Sequence, residues 1–336
     1  MTLIVASVAY PPRLALAELP TPLQALDRLS AELGGPRIWV KRDDLTGCAA
    51  SGNKIRKLEF TLARALGQGC DTLITCGGLQ SNHCRATAIL GAQLGLRVHL
   101  ILRDEGQRAA PPDGNLLLDY LAGATVSIYP RDEFQTRLPQ LMQQWAAHYQ
   151  HQGSKPYLIP TGASDGHGVW GYVRCVEELR GDFTRAGIAP SVIVHATGSG
   201  GTQAGLTAGA RLHGLAARVL GIAVCDDAAW FERKVGSDLA SWQQHYGVDL
   251  DTATLPIEVD DRHIGPGYGQ ATTEVFATIK QVAALEGLIL DPVYTGKAFQ
   301  GMIECIRHGD FAGCADIVFV HTGGIFGLFA QRDQLA

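Results

Sequence analysis

The sequence predicts an α/β fold in which helices cover parallel β-sheets. Short apolar segments alternate with helix-like segments along nearly all of the 336 residues, a pattern typical of strand–helix–strand units. The run Ser191-Val192-Ile193-Val194 has the continuous β-branched character of a strand that is buried on both faces. Because the chain exceeds the size of one ordinary core, we expect one large domain or two medium ones.

The predicted elements follow one another without a visible linker. The predicted strands cover residues 37–41, 72–76, 98–102, 125–129, 157–159, 191–196, 219–224 and 317–321. The predicted helices cover residues 54–66, 82–94, 131–149, 167–179, 202–212 and 272–286. Neither a repeat nor a Pro/Gly/Ser-rich linker interrupts this series, which suits two domains between which the chain passes twice.

Composition excludes several classes of protein. Hydrophobic residues make up 46% and charged residues 18% of a chain with a net charge of −5 and no basic block, so nucleic acid is not an expected partner. The eight cysteines include no C-x-x-C pair, and we expect reduced thiols without a metal site. Residues 1–17 lack the basic start of a signal peptide, and no apolar run could span a bilayer. We expect a cytoplasmic protein without a membrane partner.

The segment ATGSGGTQAG at residues 196–205 predicts a phosphate-binding loop. It follows a predicted strand and opens a predicted helix. Glycines let the backbone approach a ligand closely, and the unpaired N–H groups of a helix start point at an anion. Ser199 and Thr202 add hydroxyl donors. A plain tight turn is the alternative.

A dinucleotide site is a second alternative for this loop. Asp226 lies about twenty residues beyond the loop, near the place of a ribose-binding acid. After Gly198 and Gly200, however, the third glycine of G-x-G-x-x-G would fall on Gln203, and the sequence has no G-x-x-x-x-G-K-[ST] segment. A small phosphorylated cofactor fits this spacing better.

Lys54 is a candidate amine partner if that cofactor is an aldehyde. It follows Ser51-Gly52-Asn53 at a predicted helix start. Burial beside Arg56 and Lys57 would lower the pKa of its ammonium group toward use as a nucleophile and base. A Lys-Arg-Lys cluster in a first turn is more often a solvent-exposed face, so the spacing leaves both interpretations open.

Polar side chains also follow the predicted strand 72–76, in the segment GGLQSNH at residues 77–83. Loops at the carboxyl ends of parallel strands are where α/β folds bind ligands. Ser81 and Asn82, at a helix start, are suited to holding a carboxylate. An ordinary helix cap would use the same residues.

Two tyrosines stand in loops rich in glycine or proline. Tyr268 lies within GPGYG at residues 265–269, and Tyr294 follows Asp291-Pro292-Val293. A phenol beside a reacting bond can pass protons. Isolated loop tyrosines more often have a packing role, which is the alternative here.

These motifs, in this order, resemble the family of fold-type-II enzymes dependent on pyridoxal phosphate (PLP) that joins D-cysteine desulfhydrases to 1-aminocyclopropane-1-carboxylate (ACC) deaminases. The motifs that carry the resemblance are TPL at 21–23, WVKRDD at 39–44, SGNKIRK at 51–57, QSNH at 80–83, the phosphate loop, DPVYTGK at 291–297 and HTGG at 321–324. The resemblance implies two open, twisted, mostly parallel sheets with flanking helices, and PLP in the cleft between two domains. It implies a small domain at 53–162 and a large PLP-binding domain formed by 1–52 and 163–336.

The resemblance also implies a role for each candidate residue. Lys54 joins covalently to PLP and later moves the Cα proton, while Tyr268 and Tyr294 are active-site tyrosines. Ser81, which also counts among the catalytic residues, binds the substrate carboxylate together with Asn82 and His83. The residues implied to hold the cofactor are Asn53, Lys54, Asn82, Thr197, Gly198, Ser199, Gly200, Gly201, Thr202, Thr295 and Thr322. A homodimer is also implied.

Two positions separate the reactions within this family. ACC deaminases carry Glu after the second tyrosine and Leu within the late His-x-Gly-Gly, whereas this chain has Thr295 and Thr322, as D-cysteine desulfhydrases do. A carboxylate near the pyridine nitrogen keeps it protonated and suits ring opening. A hydroxyl leaves the nitrogen largely neutral and suits β-elimination. The expected activity is a carbon–sulfur lyase that converts D-cysteine to pyruvate, hydrogen sulfide and ammonia.

Several departures from the family pattern leave the leaving group and the substrate stereochemistry open. Ser51 stands where glycine is common, TGAS at 161–164 replaces a Gly-Gly-Ser run, and IFG at 325–327 replaces a Pro-Ala-Leu-like stretch. His167 and Trp170 add bulk nearby. L-cysteate sulfo-lyase and ACC deaminase are the alternatives within the family. A nicotinamide-dependent dehydrogenase and a non-catalytic PLP-binding protein are the alternatives from other classes.

Overall fold

Two separate β-sheets organise the computed structural model, which describes residues 8–104, 106 and 111–335. The strands are β1 (Leu23–Ala25), β2 (Arg37–Lys41), β3 (Thr72–Gly78), β4 (Arg97–Asp104), β5 (Thr125–Pro130), β6 (Pro156–Leu158), β7 (Val192–Thr197), β8 (Arg218–Ala223), β9 (Glu258–Asp260) and β10 (Asp316–Val320). One sheet has the order β1-β2-β10-β7-β8-β9 and the other the order β5-β4-β3-β6. Strand β1 pairs antiparallel with β2, and the other pairs are parallel.

Helices cover the faces of both sheets. They are α1 (Asp27–Leu33), α2 (Asn53–Gly67), α3 (Asn82–Gln93), α4 (Gly114–Leu121), α5 (Arg131–His151), α6 (Val169–Ala186), α7 (Gly201–Leu212), α8 (Ala228–Tyr246), α9 (Thr273–Glu286), α10 (Thr295–His308) and α11 (Ile325–Phe329). Within the described residues, none of them has both the length and the apolar character that crossing a membrane requires. Residues 1–7 of the N-terminal segment assessed above lie outside the described residues.

The six-stranded sheet is buried on both faces because successive side chains of a strand point to opposite sides. On β7, Val192 and Val194 share an apolar core with residues of α9 and α10. Ile193, between them, shares a core with residues of α6 and α7. All six residues of β7 are buried, which explains why its sequence is apolar without alternation.

The four-stranded sheet is built in the same way from the middle of the chain. Leu73 and Leu100 pack with residues of α2 and α3 on one face. Ile74 and Ile101 pack with residues of α5 on the other face. The carboxyl end of β3 therefore lies under helices on both sides, and the GGLQSNH segment leaves the sheet at that end.

The expectation of an α/β fold with two mostly parallel sheets is confirmed. The middle of the chain supplies the small sheet, and both ends of the described chain supply the large one. Each predicted strand and helix is present. The structure adds β1, β9, α1, α4, α8, α10 and α11 to the predicted series.

Candidate active site

A cavity of about 470 Å³ lies where the carboxyl ends of the two sheets face each other. Its wall includes residues that follow β3, β7 and β8, as expected of ligand sites in parallel α/β folds. The predicted site residues that line it are Asn53, Lys54, Ser81, Asn82, His83, Thr197, Gly198, Ser199, Gly200, Thr202, Tyr268, Tyr294 and Thr322. The structure thus brings together residues from six separate segments of the sequence.

Lys54 lies in the first turn of α2, where it is only 8% exposed. Gly52, before the helix, has φ of 92°, and a Cβ there would lie 2.6 Å from the carbonyl oxygen of Thr322. Glycine is therefore required to bring the helix start against the HTGG segment. Lys54 Nζ donates to Asn53 Oδ1 at 2.8 Å, so the amine is held inside the cavity.

The electrostatic setting of Lys54 suits a reactive amine. Burial, and secondarily the positive charge of Arg85, lower the pKa of Lys54 to about 8. Its neighbours Arg56 and Lys57 are also buried. The alternative of a solvent-exposed Lys-Arg-Lys face is therefore wrong.

This lowered pKa leads to a testable prediction. In the cofactor-free protein, the rate of labelling of Lys54 by a small amine-reactive reagent should rise as the pH passes through about 8 and level off above it, because only the deprotonated amine attacks. Peptide mass spectrometry after short labelling at each pH measures this rate. Exposed Lys280 serves as the internal reference for reagent reactivity. A Lys54 rate that still rises steeply above pH 9 would contradict the prediction.

The glycine-rich loop lies beside Lys54. Gly200 precedes α7 with φ of 83°, which directs the loop backbone toward the cavity. Asn53 Nδ2 donates to Thr202 Oγ1 at 2.9 Å, so α2 and α7 begin at the same place. Within the described structure, the buried Thr197 Oγ1 has no hydrogen-bond partner, and a buried hydroxyl of this kind is suited to a ligand.

Gly201 differs from the other loop residues. In the described part of the chain, Gly201 is not one of the residues that line the cavity. Its N–H donates to Ser164 Oγ at 3.2 Å. A Cβ at Gly201 would lie 2.6 Å from that same oxygen. Gly201 is therefore required for close packing against Ser164, and its contact with the cofactor stays a prediction.

Lysines that the sequence reasoning did not assign to the site lie beside this loop. Lys57 Nζ donates to Ser164 Oγ at 3.0 Å, and Ser164 Oγ lies 2.8 Å from Ser199 Oγ. Lys234 lines the cavity and donates to the Ser164 carbonyl and to Asp238. Burial, and then the charge of Lys54, lower the pKa of Lys57. Lys57 could have been assigned from its i+3 spacing to Lys54, which places both on one helix face.

The SNH segment joins the end of β3 to the start of α3. Ser81 Oγ accepts from the N–H of Cys84 at 3.2 Å, so Ser81 caps α3, and its hydroxyl proton stays available to a ligand. Asn82 Oδ1 accepts from Asn115 Nδ2 at 3.1 Å. His83 Nε2 lies 2.7 Å from Thr75 Oγ1, and burial lowers the pKa of His83. The imidazole therefore stays neutral at this site.

The two predicted tyrosines form a pair in the cavity wall. Their hydroxyl oxygens lie 2.5 Å apart, and Lys54 Nζ lies 5.7 Å from the centroid of the Tyr294 ring. Burial raises the pKa of Tyr268 to about 12, and the Arg103 guanidinium lies 5.3 Å from its ring centroid. The phenols are therefore protonated acids, close to one another and to the amine.

The two threonines that follow the family pattern are placed differently. Thr322 lines the cavity. Thr295 is fully buried, donates to Asp291 Oδ1 at 2.7 Å and accepts from the N–H of Asp291 at 2.8 Å. The Asp291 carboxylate collects the N–H groups at the start of α10, and it also takes the Thr295 hydroxyl. The expected contact of Thr295 with a cofactor is therefore not provided by the side chain as it lies.

The dinucleotide alternative has little support in this geometry. Gln203 Nε2 donates to the Glu258 carbonyl at 2.7 Å, and its amide fills the space against Gly221 on β8. A dinucleotide fold keeps a glycine at this point so that helix and strand can approach. Asp226 lines the cavity but has no fingerprint loop to accompany it.

One group of potential metal ligands, which does not line the cavity, is present in the described part of the chain. Atoms of Asp260, His263 and Cys305 lie within 4.8 Å of one another. Arg262 donates to Asp260 Oδ2 at 2.6 Å and lies 3.6 Å from Cys305 Sγ, so a cation already compensates this carboxylate. We assign no metal to this group. All eight cysteines are free thiols.

The buried amine, the anion-binding loop and the paired phenols define an enzyme site for a small phosphorylated cofactor that carries a carbonyl group. Residues 14–323 match the family described as pyridoxal-phosphate dependent enzyme. The chain belongs to this family of PLP-dependent enzymes. Membership decides against the dehydrogenase alternative and confirms PLP as the cofactor.

Individual relatives cover nearly the whole chain. A Thermotoga maritima protein provisionally named 1-aminocyclopropane-1-carboxylate deaminase is 43% identical over 324 residues, 96% of this chain and 99% of the relative. A Klebsiella pneumoniae protein named D-cysteine desulfhydrase is 40% identical over 328 residues, 96% of this chain and 97% of the relative. A solved structure described as an ACC deaminase homologue has a TM-score of 0.87 at 38% identity and covers 96% of this chain and 95% of its own.

The residues present fit PLP on structural grounds as well. Lys54 offers an amine of lowered pKa, and Thr197 offers an unsatisfied hydroxyl beside Gly198 and Gly200. Lys234 supplies positive charge near the loop, and the Lys57 amine adds a hydrogen-bond donor there, which suits a phosphate dianion. The chemistry of the donor set therefore matches both ends of the cofactor.

Proposed function

We propose that this enzyme is a β-eliminating lyase that acts on D-cysteine and releases pyruvate, hydrogen sulfide and ammonia. The observation that carries the proposal is the placement of the Lys54 amine against the Tyr294–Tyr268 pair. A base and a protonated acid then stand on the same side of the cavity, as removal of a Cα proton and departure of a Cβ substituent require. The D-cysteine desulfhydrase relative supports the same activity.

The residues divide the work as follows. PLP, when bound, withdraws electrons from an attached amino acid and makes its Cα proton acidic. The glycine loop with Thr197, Thr202 and Lys57 would hold the phosphate. Ser81 and Asn82, at the positive end of α3, bind and orient the substrate carboxylate. Lys54 Nζ takes the Cα proton.

The tyrosine pair acts at the leaving group. Tyr268 and Tyr294 keep a proton available for the departing sulfur through their shared hydrogen bond. Water then completes the balance, because D-cysteine and one water molecule yield pyruvate, hydrogen sulfide and ammonia.

The choice of D-cysteine over ACC rests on the absence of an acidic residue at positions 295 and 322. Positions 295 and 322 are threonines, and Asp226 is the one acidic residue that lines the cavity within the described structure. It belongs to the loop that follows β8, whereas Asp291 is turned toward the N–H groups of α10. Neither position 295 nor position 322 therefore offers a carboxylate that could keep a pyridine nitrogen protonated in the manner that ring opening favours.

A substrate panel tests this proposal. With D-cysteine, L-cysteine, β-chloro-D-alanine, L-cysteate and ACC, we expect kcat/KM for D-cysteine to exceed that for L-cysteine, L-cysteate and ACC by at least about tenfold, a difference of about 1.4 kcal/mol in transition-state binding. Sulfide, sulfite, pyruvate and 2-oxobutanoate are measured separately. Preferential release of 2-oxobutanoate from ACC would assign the activity named for the Thermotoga relative. Preferential release of sulfite from L-cysteate would assign a sulfo-lyase.

We further propose the division into a small domain at 53–162 and a large domain from 1–52 and 163–336. The separate four-stranded sheet, whose strands all lie between residues 72 and 158, supports this division. The homodimer and the cytoplasmic location stay predictions. Sedimentation of the purified protein measures the first.

A further inference from the structure

Lys297 is a buried cation that the proposed chemistry does not use. It lies in the first turn of α10, three residues after Tyr294, and is 1% exposed. Its Nζ donates to the carbonyl oxygens of Ile264 and Gly267 at 2.7 Å each, and to that of Val224 at 3.4 Å. The ammonium group is thus directed at backbone from two other segments of the chain.

Burial of this ammonium group is costly unless its donors are satisfied. Burial lowers the pKa of Lys297 to about 8. An apolar side chain of similar length would fill the same space without that cost. The ammonium group therefore contributes something that packing does not, and the three carbonyls show what it contributes.

The carbonyls belong to the segments that form one wall of the cavity. Ile264 precedes the GPGYG loop that carries Tyr268, Gly267 lies within that loop, and Val224 precedes the cavity residue Cys225. Three glycines of the loop, at 265, 267 and 269, have positive φ values. Such a backbone is intrinsically free to move. It needs external anchors if the Tyr268 ring is to stay in one place.

Among the described residues, two side chains donate to carbonyl oxygens of residues 264–269. Lys297 donates to those of Ile264 and Gly267, and Gln331 Nε2 donates to that of Gly269 at 3.1 Å. Because Tyr294 is the N-cap residue of α10 and Lys297 lies in its first turn, the same helix end places one tyrosine directly and the other through the lysine. The 2.5 Å contact between the two hydroxyls then depends on both.

We propose that Lys297 is a positioning residue that fixes the Tyr268 loop, so that Tyr268 stays hydrogen-bonded to Tyr294. The inference rests on the proposed role of the tyrosine pair. It requires that loss of the ammonium group frees residues 264–269 without disturbing Lys54. It also requires that the fall in kcat results from displacement of Tyr268.

The test uses Lys297→Met in the PLP-loaded and the PLP-free protein, with exposed Lys280→Met as the matched control. We expect amide hydrogen exchange of residues 265–270 to become about tenfold faster, while exchange in β7 is unchanged. We expect kcat to fall by about tenfold to a hundredfold with a smaller change in KM. The Lys280 variant should behave as the parent protein. Lys297→Gln keeps a neutral donor, so its loop exchange rate and its kcat should lie between those of the parent protein and those of Lys297→Met.

A double variant shows whether the effect passes through Tyr268. In a Tyr268→Phe background, Lys297→Met should cost no more than about twofold in kcat, because the group it positions is already lost. Unchanged exchange of the loop, or equal losses in both backgrounds, overturns the proposal. If Lys297→Met does not fold, the exchange of Lys297→Gln decides in the same way. The exchange result does not depend on the substrate, so failure of the proposed function appears only in the substrate panel.

Discussion

Replacement of Lys54 by alanine is expected to remove the absorbance band at ~410–430 nm that the lysine–cofactor linkage gives the PLP-loaded protein, and to lower turnover by about a thousandfold or more. Lys54 is the expected attachment point because its Nζ is buried in the cavity, holds Asn53 Oδ1 at 2.8 Å and has a pKa lowered to about 8. Absorbance spectra before and after reduction by borohydride measure the attachment. Peptide mapping of the reduced protein then locates it.

Lys57 makes this experiment decisive. It lies one turn along α2, is fully buried and also has a lowered pKa, so it is the competing amine. We expect Lys57→Ala to weaken cofactor binding while the reduced protein still carries the cofactor on Lys54. An absorbance band that survives in Lys54→Ala and disappears in Lys57→Ala would reassign the attachment to Lys57. The Lys280→Ala control should leave both properties unchanged.

Much of the fold could be predicted because buried parallel strands have a distinct sequence. The apolar run of β7 and the helices on either side of it follow from local periodicity. Strand β9 (Glu258–Asp260), by contrast, is short and acidic at both ends. It becomes a strand by pairing with β8, which is a tertiary effect that no local pattern shows.

The predicted series also lacks helices α8 and α10. Helix α8 (Ala228–Tyr246) combines a polar surface with a few buried residues such as Phe231 and Leu239. Its start depends on Asp227, whose side chain accepts from the N–H of Trp230 at 2.7 Å. That cap could have been found from the sequence, since Asp before a helical stretch is a known start signal.

The sequence indicates which motifs form the site but not how their side chains lie relative to one another. Spacing alone left Lys54 as an exposed cation or a buried amine, because the burial comes from packing of α2 against distant segments. The role of Ser164 as the acceptor for Lys57 and Gly201 depends on two loops meeting in space. Thr295 shows the opposite case, where a residue matches the family pattern while its hydroxyl bonds to Asp291.

Replacement of Tyr294 by phenylalanine is expected to lower kcat for D-cysteine by about a hundredfold and to change KM much less. The substitution keeps the ring that packs against Gly198 and faces the Lys54 amine, but it removes the hydroxyl that lies 2.5 Å from that of Tyr268. The Tyr268 phenol, whose pKa burial raises to about 12, then loses the partner through which its proton is shared. Cofactor absorbance should stay that of the parent protein, and Tyr120→Phe, on an exposed tyrosine, is the matched control.

The leaving group shows which proton the tyrosine pair controls. A sulfur substituent leaves more readily when an acid protonates it as it departs, whereas chloride leaves without a proton. If the pair acts at Cβ, Tyr294→Phe should reduce kcat for D-cysteine at least about tenfold more than kcat for β-chloro-D-alanine, since the chloride reaction does not need the acid. Equal losses for the two substrates would place Tyr294 at a step that both reactions share, the removal of the Cα proton. In that case the Tyr294 hydroxyl, which the substitution removes, would assist the Lys54 amine in proton removal and would not act at the leaving group.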